Sequence, residues 1–292
     1  MRDKASIALV LTGLICLFST PALAEDVAAK SAISDNPCPA PAPSLSPQMR
    51  AAMLKPGAAP LAVPPAQMEG YRRMQEAARA RDFANVCRFR ADNAALVQVR
   101  RPRVVFMGDS ITEAWSLGDP SLFAPDVIDR GISGQTSPQM VLRFYQDVIA
   151  LHPEVVHIMA GTNDVAGNTG PSTAEDYKNN IRAMVDMAEM NGIKVILASI
   201  PPMDRLYWQP DFRPAEVVRE LNAWLRQFAA ERRLVFADYY AVLSSATGSM
   251  KPEFTNDGVH PTYPGYAAMR PVFDASFTRT TSSAGAPPPK GS

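Results

Sequence analysis

Residues 104–112 read VVFMGDSIT, an apolar run that ends in a glycine, an aspartate and a serine. β-branched and aromatic residues in a run of this length predict a buried strand. If a helix follows, beginning near Glu113, Ser110 lies at the carboxyl end of a parallel strand, where open α/β sheets place their ligand crevice. An Asp-Ser pair at this position is also typical of a helix cap with no chemical role. This stretch alone leaves both interpretations open.

Strands and helices alternate downstream of this run. We predict strands over residues 126–130, 154–160, 193–200 and 234–239, and helices over 137–150, 174–191, 214–233 and 264–278. The strands are almost continuously apolar, which is typical of a parallel sheet with helices on both faces. The sequence therefore predicts an α/β fold with a five-stranded parallel sheet.

The first 24 residues have the pattern of a secretory signal peptide. Arg2 and Lys4 precede an apolar run over 7–18, and residues 21–24 read PALA, an Ala-x-Ala cleavage site. The apolar run is too short to span a bilayer as an anchor. We therefore expect cleavage after Ala24 and an exported protein, periplasmic or secreted, with no stable membrane anchor.

The residues between the signal peptide and the sheet divide into two parts. Residues 25–65 are rich in alanine, proline and serine, and predict an extended leader of polyproline type. Residues 66–100 predict an extension with helices over 67–81 and 83–97. The α/β domain is expected over 101–280, and residues 281–292 are expected to be disordered. Cys38 and Cys87 remain after cleavage, and two such cysteines in an oxidising compartment are expected to form a disulfide.

Charge and cysteine spacing argue against several classes of function. The chain has 29 basic and 29 acidic residues, so electrostatics gives no reason to expect a nucleic acid or an anionic membrane as partner. Neither Cys38 nor Cys87 has a neighbouring Cys or His at the spacing of a zinc site. We therefore predict no metal, no cofactor and no nucleic-acid partner.

Polar residues and glycines follow the predicted strands at the points where each strand ends. Ser110, Gly134 and Asn163 follow the first three strands, and residues 257–260 read DGVH after the fifth. A serine nucleophile needs a base and a carboxylate that orients the base, and Asp257 and His260 supply both from one turn. The chain has two other histidines: His152 and His157 are predicted to lie at a helix end and in the core.

The order serine, aspartate, histidine also occurs in α/β-hydrolases. Their nucleophile elbow requires a glycine two residues before the serine and another two residues after it. Gly108 meets the first requirement, but Thr112 stands at the second position. The α/β-hydrolase signature therefore fails.

Four blocks of the sequence resemble those of the SGNH (GDSL-type) hydrolase superfamily. They read GDSI at 108–111, RGISG at 130–134, GTND at 161–164 and DGVH at 257–260, and the resemblance covers residues 103–277. It implies a three-layer α/β/α flavodoxin-like fold and a serine-ester mechanism. Ser110 would be the nucleophile, His260 the base and Asp257 its orienting carboxylate. The Ser110 N–H, the Gly134 N–H and the Asn163 side-chain amide would form the oxyanion hole. Asp109 and Asp164 are expected to be structural.

The sequence specifies the substrate less closely. We predict an exported carboxylester hydrolase that acts on short acyl esters of small molecules or carbohydrates, with O-acetylated carbohydrate as one class. The alternatives are a thioesterase or lysophospholipase on the same machinery, and a non-catalytic carbohydrate-binding or acyltransferase-accessory module. Trp115, Tyr207 and Trp208 are candidate substrate-binding residues. For Tyr207 and Trp208, packing of their own proline-rich loop is an equally supported interpretation.

Overall fold

The computed structural model of the chain describes residue 38 and residues 47–58, 65–99, 101–206 and 211–282. The expected signal peptide, most of the expected leader, the Tyr207 and Trp208 pair and the chain beyond residue 282 lie outside the described residues. The chain divides into two compact units, Met1–Cys38 and Pro39–Ser292. Every described residue except Cys38 belongs to the second unit, and the description below concerns that unit.

A five-stranded, fully parallel sheet forms the centre of this unit, as the sequence predicts. Its strands are β1 (Val104–Gly108), β2 (Val127–Gly131), β3 (Val155–Met159), β4 (Lys194–Ala198) and β5 (Val235–Ala237). The spatial order is β2-β1-β3-β4-β5, with Val104 of β1 paired to Val127 of β2 and Val155 of β3. This is the flavodoxin-like order, and its topological switch point lies between β1 and β3.

Helices cover both faces of the sheet. The α-helices of the described ranges are α1 (Pro47–Leu54), α2 (Pro65–Arg81), α3 (Arg90–Val97), α4 (Ser110–Gly118), α5 (Ser137–Asp147), α6 (Thr162–Val165), α7 (Ala174–Met190), α8 (Ala215–Glu231), α9 (Tyr239–Leu243) and α10 (Tyr263–Ser282). Successive strand side chains point to opposite faces, so Val105 and Met107 belong to one buried cluster and Val104 and Phe106 to another. The first cluster includes residues of α5, α7 and α8, and the second includes residues of α4, α9 and α10.

A turn, rather than a helix, occupies much of the predicted helix over 83–97. The Asp82 carboxylate accepts the backbone N–H groups of Val86 and Cys87, both at 2.9 Å. Asn85 has a positive φ of 54°, in the left-handed region that a right-handed helix does not use. These local hydrogen bonds close a turn, and α3 begins only at Arg90. Cys87 therefore lies in the turn; it and Cys38 are each disulfide-bonded.

Part of the expected extended leader is a helix. Residues 47–54 form α1, with Pro47 at the first position, where its missing N–H costs nothing. Leu54 is only 2% exposed, and Asn256 holds the segment that follows. The Asn256 side chain donates to the carbonyls of Met53 and Lys55, at 2.9 and 2.8 Å, and accepts the Gly57 N–H at 2.9 Å. The extended prediction is wrong for this segment because one buried leucine and three hydrogen bonds outweigh its composition.

A buried polar network joins α3 to the sheet. Arg143 is completely buried and donates to Asp147 at 3.0 Å and to the Gly108 carbonyl at 3.0 Å. The Asn93 side chain of α3 donates to the same Asp147 at 2.7 Å and accepts from Arg130. Removing one partner of a buried ion pair typically costs about 3–5 kcal/mol. The extension is therefore held against α5 and β2 by charged as well as apolar contacts.

Candidate active site

The turn between β1 and α4 places Ser110 at the carboxyl edge of the sheet. Strand β1 ends at Gly108, α4 begins at Ser110, and the Asp109 carboxylate caps the helix by accepting the Ile111 N–H at 2.9 Å. A Cβ on Gly108 would lie 1.9 Å from the Thr112 hydroxyl oxygen, so this tight turn requires glycine. The Asp-Ser pair is therefore a helix cap and also presents a serine. The two interpretations left open by the sequence are compatible.

Ser110, His260 and Asp257 form a hydrogen-bonded series. The Ser110 Oγ lies 2.9 Å from His260 Nε2, and His260 Nδ1 lies 2.7 Å from Asp257 Oδ2. The Asp257 Oδ1 atom accepts the backbone N–H groups of Val259 and His260, at 2.9 and 2.8 Å. The carboxylate is thus fixed by its own loop, and an Nδ1–H donated to it leaves Nε2 to accept the serine proton. The structure brings together the three residues that the sequence predicts as nucleophile, base and orienting acid.

Burial and charge act in opposite directions on the His260 pKa. Burial disfavours the imidazolium and lowers the pKa, but the charge and hydrogen bond of Asp257, together with the charge of Asp109, outweigh it, so the pKa is raised above its usual 6.5. For Asp257, burial raises the pKa, but the charge and hydrogen bond of His260 and the backbone N–H groups of its loop lower it well below its usual range. Asp257 is therefore a carboxylate at neutral pH, placed to stabilise an imidazolium.

The loop between β2 and α5 carries Gly134, whose backbone N–H can donate a hydrogen bond to a ligand. Gly134 has a φ of +78°, a conformation that other residues rarely adopt. Within the described part of the chain, the backbone N–H groups of Ser110 and Gly134 have no hydrogen-bond acceptor. Ser110 also lies at the N-terminus of α4, where the helix dipole favours negative charge. Both N–H groups are therefore free to bind an oxyanion.

The Asn163 amide lies beside these groups but has partners of its own. It follows β3, next to the switch point, and is 5% exposed. Its Nδ2 donates to the Gln135 carbonyl at 3.0 Å and to Asp109 Oδ2 at 3.2 Å. Its Oδ1 accepts from Asn168 Nδ2 at 2.7 Å. To serve a substrate oxyanion, Asn163 has to exchange one of its acceptors, and the bond to Asp109 is the longer of the two.

The two aspartates expected to be structural have structural partners. Besides capping α4, Asp109 is fully buried, and burial raises its pKa to about 6. Asp164 accepts the Ser137 N–H with both carboxylate oxygens, each at 3.0 Å, at the start of α5. Burial raises the pKa of Asp164 as well. Each carboxylate fixes the first turn of a helix that follows a loop of the site.

Trp115 does not line a substrate pocket, contrary to the prediction. Because α4 starts at Ser110, Trp115 lies four residues after Ile111, on the same helix face, and both side chains are buried. The Trp115 ring is 0% exposed and packs edge-on against Phe106 and Tyr239 at centroid distances of 5.5 Å. It is a core residue. Tyr207 and Trp208 lie outside the described residues, and their roles stay predictions.

The other histidines occupy the positions expected of them. His157 lies in β3 with no exposed surface, its Nε2 is 2.9 Å from the Tyr239 hydroxyl, and burial lowers its pKa to about 3. His152 follows a short 3₁₀ turn in a left-handed conformation, and Arg101 donates to its carbonyl. Neither is part of the Ser110 series.

Three residues that contact the site loops were not found from the sequence. Asn168 bonds Asn163 and also donates to the Gly134 carbonyl at 3.4 Å. Arg79, on α2, donates to the Asn168 carbonyl at 3.1 Å. Asn256 precedes Asp257 and holds the segment after α1. Gly167 beside Asn168 indicates a turn, but no sequence pattern indicates which distant residue a turn asparagine or a helical arginine contacts.

No cluster of three or more His, Cys, Asp or Glu side chains in the described part of the chain is arranged to hold a metal ion. No described helix combines the length and apolar character needed to cross a bilayer.

Proteins of known family or structure are similar to the part of the chain that contains the sheet. The model of the GDSL-like lipase/acylhydrolase family matches residues 106–268. The crystal structure of a GDSL-like lipase from Bacteroides thetaiotaomicron is 40% identical, with a TM-score of 0.64, over 68% of this chain and 98% of that one.

Two further relatives match less closely, one because the sequence identity is lower and the other because the matched segment is shorter. The acetylxylan esterase of Geobacillus stearothermophilus is 25% identical over 203 residues, 59% of this chain and 91% of the esterase. An uncharacterized lipoprotein of Bacillus subtilis is 33% identical over 81 residues; this match spans 27% of this chain and 33% of the lipoprotein.

Proposed function

Because this chain belongs to the GDSL-like lipase/acylhydrolase family, we propose that it is an exported serine esterase that removes short acyl groups from small-molecule or carbohydrate esters. The observation that carries this proposal is the series from Ser110 through His260 to Asp257, with distances of 2.9 and 2.7 Å. This arrangement is the one that serine acyl transfer requires.

In the acylation step, Ser110 Oγ attacks the carbonyl carbon of the ester while His260 Nε2 accepts the hydroxyl proton. The imidazolium that forms is stabilised by Asp257, whose own charge is retained. Collapse of the tetrahedral intermediate breaks the bond to the alcohol oxygen, and His260 gives that oxygen the proton. The alcohol leaves, and the acyl group remains on Ser110.

The negative charge on the carbonyl oxygen is bound by the Ser110 and Gly134 N–H groups and by Asn163. Loss of one such donor typically raises the barrier by about 3–4 kcal/mol. Asn163 joins by giving up its longer bond, to Asp109. The two N–H groups are free in the described part of the chain before substrate binds, so they need no rearrangement.

Deacylation repeats these steps with water as the nucleophile. His260 accepts a proton from water as the oxygen attacks the acyl carbon, and then returns a proton to Ser110 Oγ as the carboxylic acid leaves. The enzyme is regenerated, and every proton passes through His260. The mechanism requires no metal and no cofactor.

The sequence of the first 24 residues and one relative support the proposed export and the proposed substrate class. Export is supported by the charged, apolar and Ala-x-Ala pattern of residues 1–24. The short acyl group and the carbohydrate alcohol are supported by the relationship to an acetylxylan esterase.

The proposal is tested with para-nitrophenyl esters of increasing acyl length. The wild type should hydrolyse the acetate ester best, and Ser110→Ala should lose this activity while its circular dichroism spectrum stays unchanged. If the folded Ser110→Ala variant turned over the ester at a rate near that of the wild type, Ser110 would not be the nucleophile. A preference for long acyl chains or for thioesters would instead favour the lysophospholipase or thioesterase alternative. Release of acetate from acetylated xylo-oligosaccharides tests the carbohydrate part separately.

A further inference from the structure

A cavity of about 270 Å³ lies between the N-terminal extension and the loop that carries Gly134. One wall is formed by α2 and the turn after it, and the other by residues 132–135 and Gln139. Ser110 and His260 are not among the described residues that line it. The cavity is therefore a neighbour of the reacting centre and shares with it the loop that supplies an oxyanion donor.

The lining of the cavity is positively charged. Arg79, Arg81 and Arg88 line it, and Asp82 is the carboxylate among its described lining residues. Both Asp82 oxygens accept backbone N–H groups of the following turn, and Arg88 lies 3.5 Å from Glu113 outside the cavity. This leaves Arg79 and Arg81 without a carboxylate partner in the described ranges.

Among the arginines that line the cavity, Arg79 is bonded to a loop of the candidate site. It is half-buried, and its Nη1 is fixed on the Asn168 carbonyl at 3.1 Å. Its Nη2 lies 3.7 Å from the point where a Cβ on Gly134 would stand. A guanidinium has five N–H donors in a fixed plane that matches a carboxylate. One fixed nitrogen therefore orients the remaining donors and reduces the entropy lost when they bind a ligand.

The walls on either side of Arg79 are also fixed before any ligand binds. Gln135 donates to the Ala84 carbonyl at 2.7 Å, and Gln139 donates to the Phe83 carbonyl at 2.6 Å. These bonds join the loop that carries Gly134 and the first turn of α5 to the extension, so they fix the two walls of the cavity relative to each other. Its volume is sufficient for a carboxylate and the short chain that carries it.

We propose that this cavity is a subsite for a carboxylate carried by the ester substrate, and that Arg79 binds that carboxylate. The natural substrate class is then an acidic ester, with the carboxylate on either the acyl or the alcohol part. This inference rests on the proposed esterase function. It assigns the N-terminal extension a role in specificity, because the arginine comes from α2 and the oxyanion donor from the loop after β2.

The test compares charged esters with neutral esters of similar shape. Para-nitrophenyl hemisuccinate is paired with para-nitrophenyl valerate for a carboxylate on the acyl part. Para-acetoxybenzoate is paired with para-acetoxybenzamide for a carboxylate on the alcohol part. The quantity measured is the ratio of kcat/KM for the charged ester to that for its neutral match. Any general effect of a substitution on the catalytic loops cancels in this ratio.

In the wild type, the ratio should favour the charged ester in one of the two pairs, and that pair identifies the part that carries the carboxylate. Arg79→Gln should lower this ratio about 10-fold or more, as expected for loss of a hydrogen bond between charged groups. Arg79→Lys should retain part of the preference. The matched control is Arg73→Gln on the same helix, which removes an exposed arginine paired with Glu69 and should leave the ratio unchanged. If Arg79→Gln leaves the ratio of kcat/KM unchanged in both pairs of esters, the inference is wrong.

A binding measurement separates this inference from the esterase proposal. Succinate is titrated calorimetrically into wild type and Arg79→Gln, with no turnover required. We expect binding to be about 10-fold weaker in the variant. Equal binding would overturn the subsite, even if every ester were hydrolysed. If the protein hydrolysed no ester but bound succinate in a way that depends on Arg79, the esterase proposal would be refuted. The cavity would then still be a binding site for a carboxylate.

Discussion

Asn168→Ala removes the donor that fixes the Asn163 amide. In the structure, Asn168 Nδ2 donates to Asn163 Oδ1 at 2.7 Å, and Asn163 is almost completely buried. The backbone bonds of residue 168, including its carbonyl to Arg79, are unchanged by this substitution. The variant therefore tests whether the orientation of the proposed oxyanion amide depends on its neighbour.

The expected loss of activity can be bounded from these contacts. A buried acceptor left without its donor costs about 1–3 kcal/mol, and each 1.36 kcal/mol of barrier is a factor of ten in rate. Asn168→Ala should therefore lower kcat by about 5- to 150-fold, with KM little changed. Removing the oxyanion donor itself, in Asn163→Ala, should cost more, about 100- to 1000-fold.

A double-mutant cycle measures the coupling between the two asparagines. Kinetics of para-nitrophenyl acetate hydrolysis are measured for the wild type, Asn168→Ala, Asn163→Ala and the double variant. If Asn168 acts only through Asn163, the double variant should be no slower than Asn163→Ala alone, because the orienting bond has nothing left to orient. Losses that multiply in the double variant would refute this reasoning.

A matched control is Asn191→Ala. Asn191 lies at the C-terminal end of α7, donates to the Met187 carbonyl at 2.8 Å and is exposed. It precedes β4, at the amino edge of the sheet, opposite the edge that carries Ser110. Its substitution removes the same chemical group and should leave kcat unchanged.

Three further predictions concern the base, the disulfide and metals. In the wild type, kcat/KM should rise with pH through a pKa above 6.5, because only neutral His260 accepts the proton. Asp257→Asn should move this rise to lower pH, since it removes the charge of Asp257 that raises the His260 pKa, and should reduce the plateau rate up to about 10⁴-fold. A rise at unchanged pH would assign the raised pKa to another group. Non-reducing peptide mapping should show Cys38 linked to Cys87, and free thiols or a Cys38–Cys38 dimer would contradict this pairing. Closing a loop of about 50 residues should add about 4 kcal/mol to the free energy of unfolding, and hydrolysis should be largely retained after reduction. Hydrolysis should survive EDTA, and loss of activity that a divalent ion restores would contradict the metal-free mechanism.

The positions of the main site residues were predictable from the sequence because a parallel sheet brings its carboxyl ends to one edge. Ser110 and Asn163 follow β1 and β3, which are neighbours in the sheet. The strand assignment, together with the flavodoxin-like order that the family resemblance implies, therefore places them close to each other. His260 was identified by elimination among three histidines, and its bond to Asp257 needs only a three-residue separation. These inferences depend on local sequence patterns, and they stay the same when the predicted ends of a strand or helix are wrong by one or two residues.

Other features depend on details that no local pattern carries. The prediction for Trp115 failed because α4 begins at Ser110, three residues earlier than the helix start near Glu113, and the start decides which residues share the core face with Ile111. The helix α1 was missed because its composition is that of a linker and one buried side chain, Leu54, anchors it. Contacts of Arg79 and Asn256 join segments far apart in sequence, and such pairs leave no periodic signal in a single chain.

The bonds of Asn256 have a consequence for when the protein becomes active. They join residues 199 to 203 positions apart, and Ser110 and His260 are themselves separated by 150 positions. Contacts of such long range slow folding, because the chain between them has to be ordered first. A growing chain therefore carries Ser110, the proposed nucleophile, long before His260, the proposed base, has been synthesised. On the proposed mechanism, ester cleavage begins only when the C-terminal part of the chain has been made and has folded back onto segments made first.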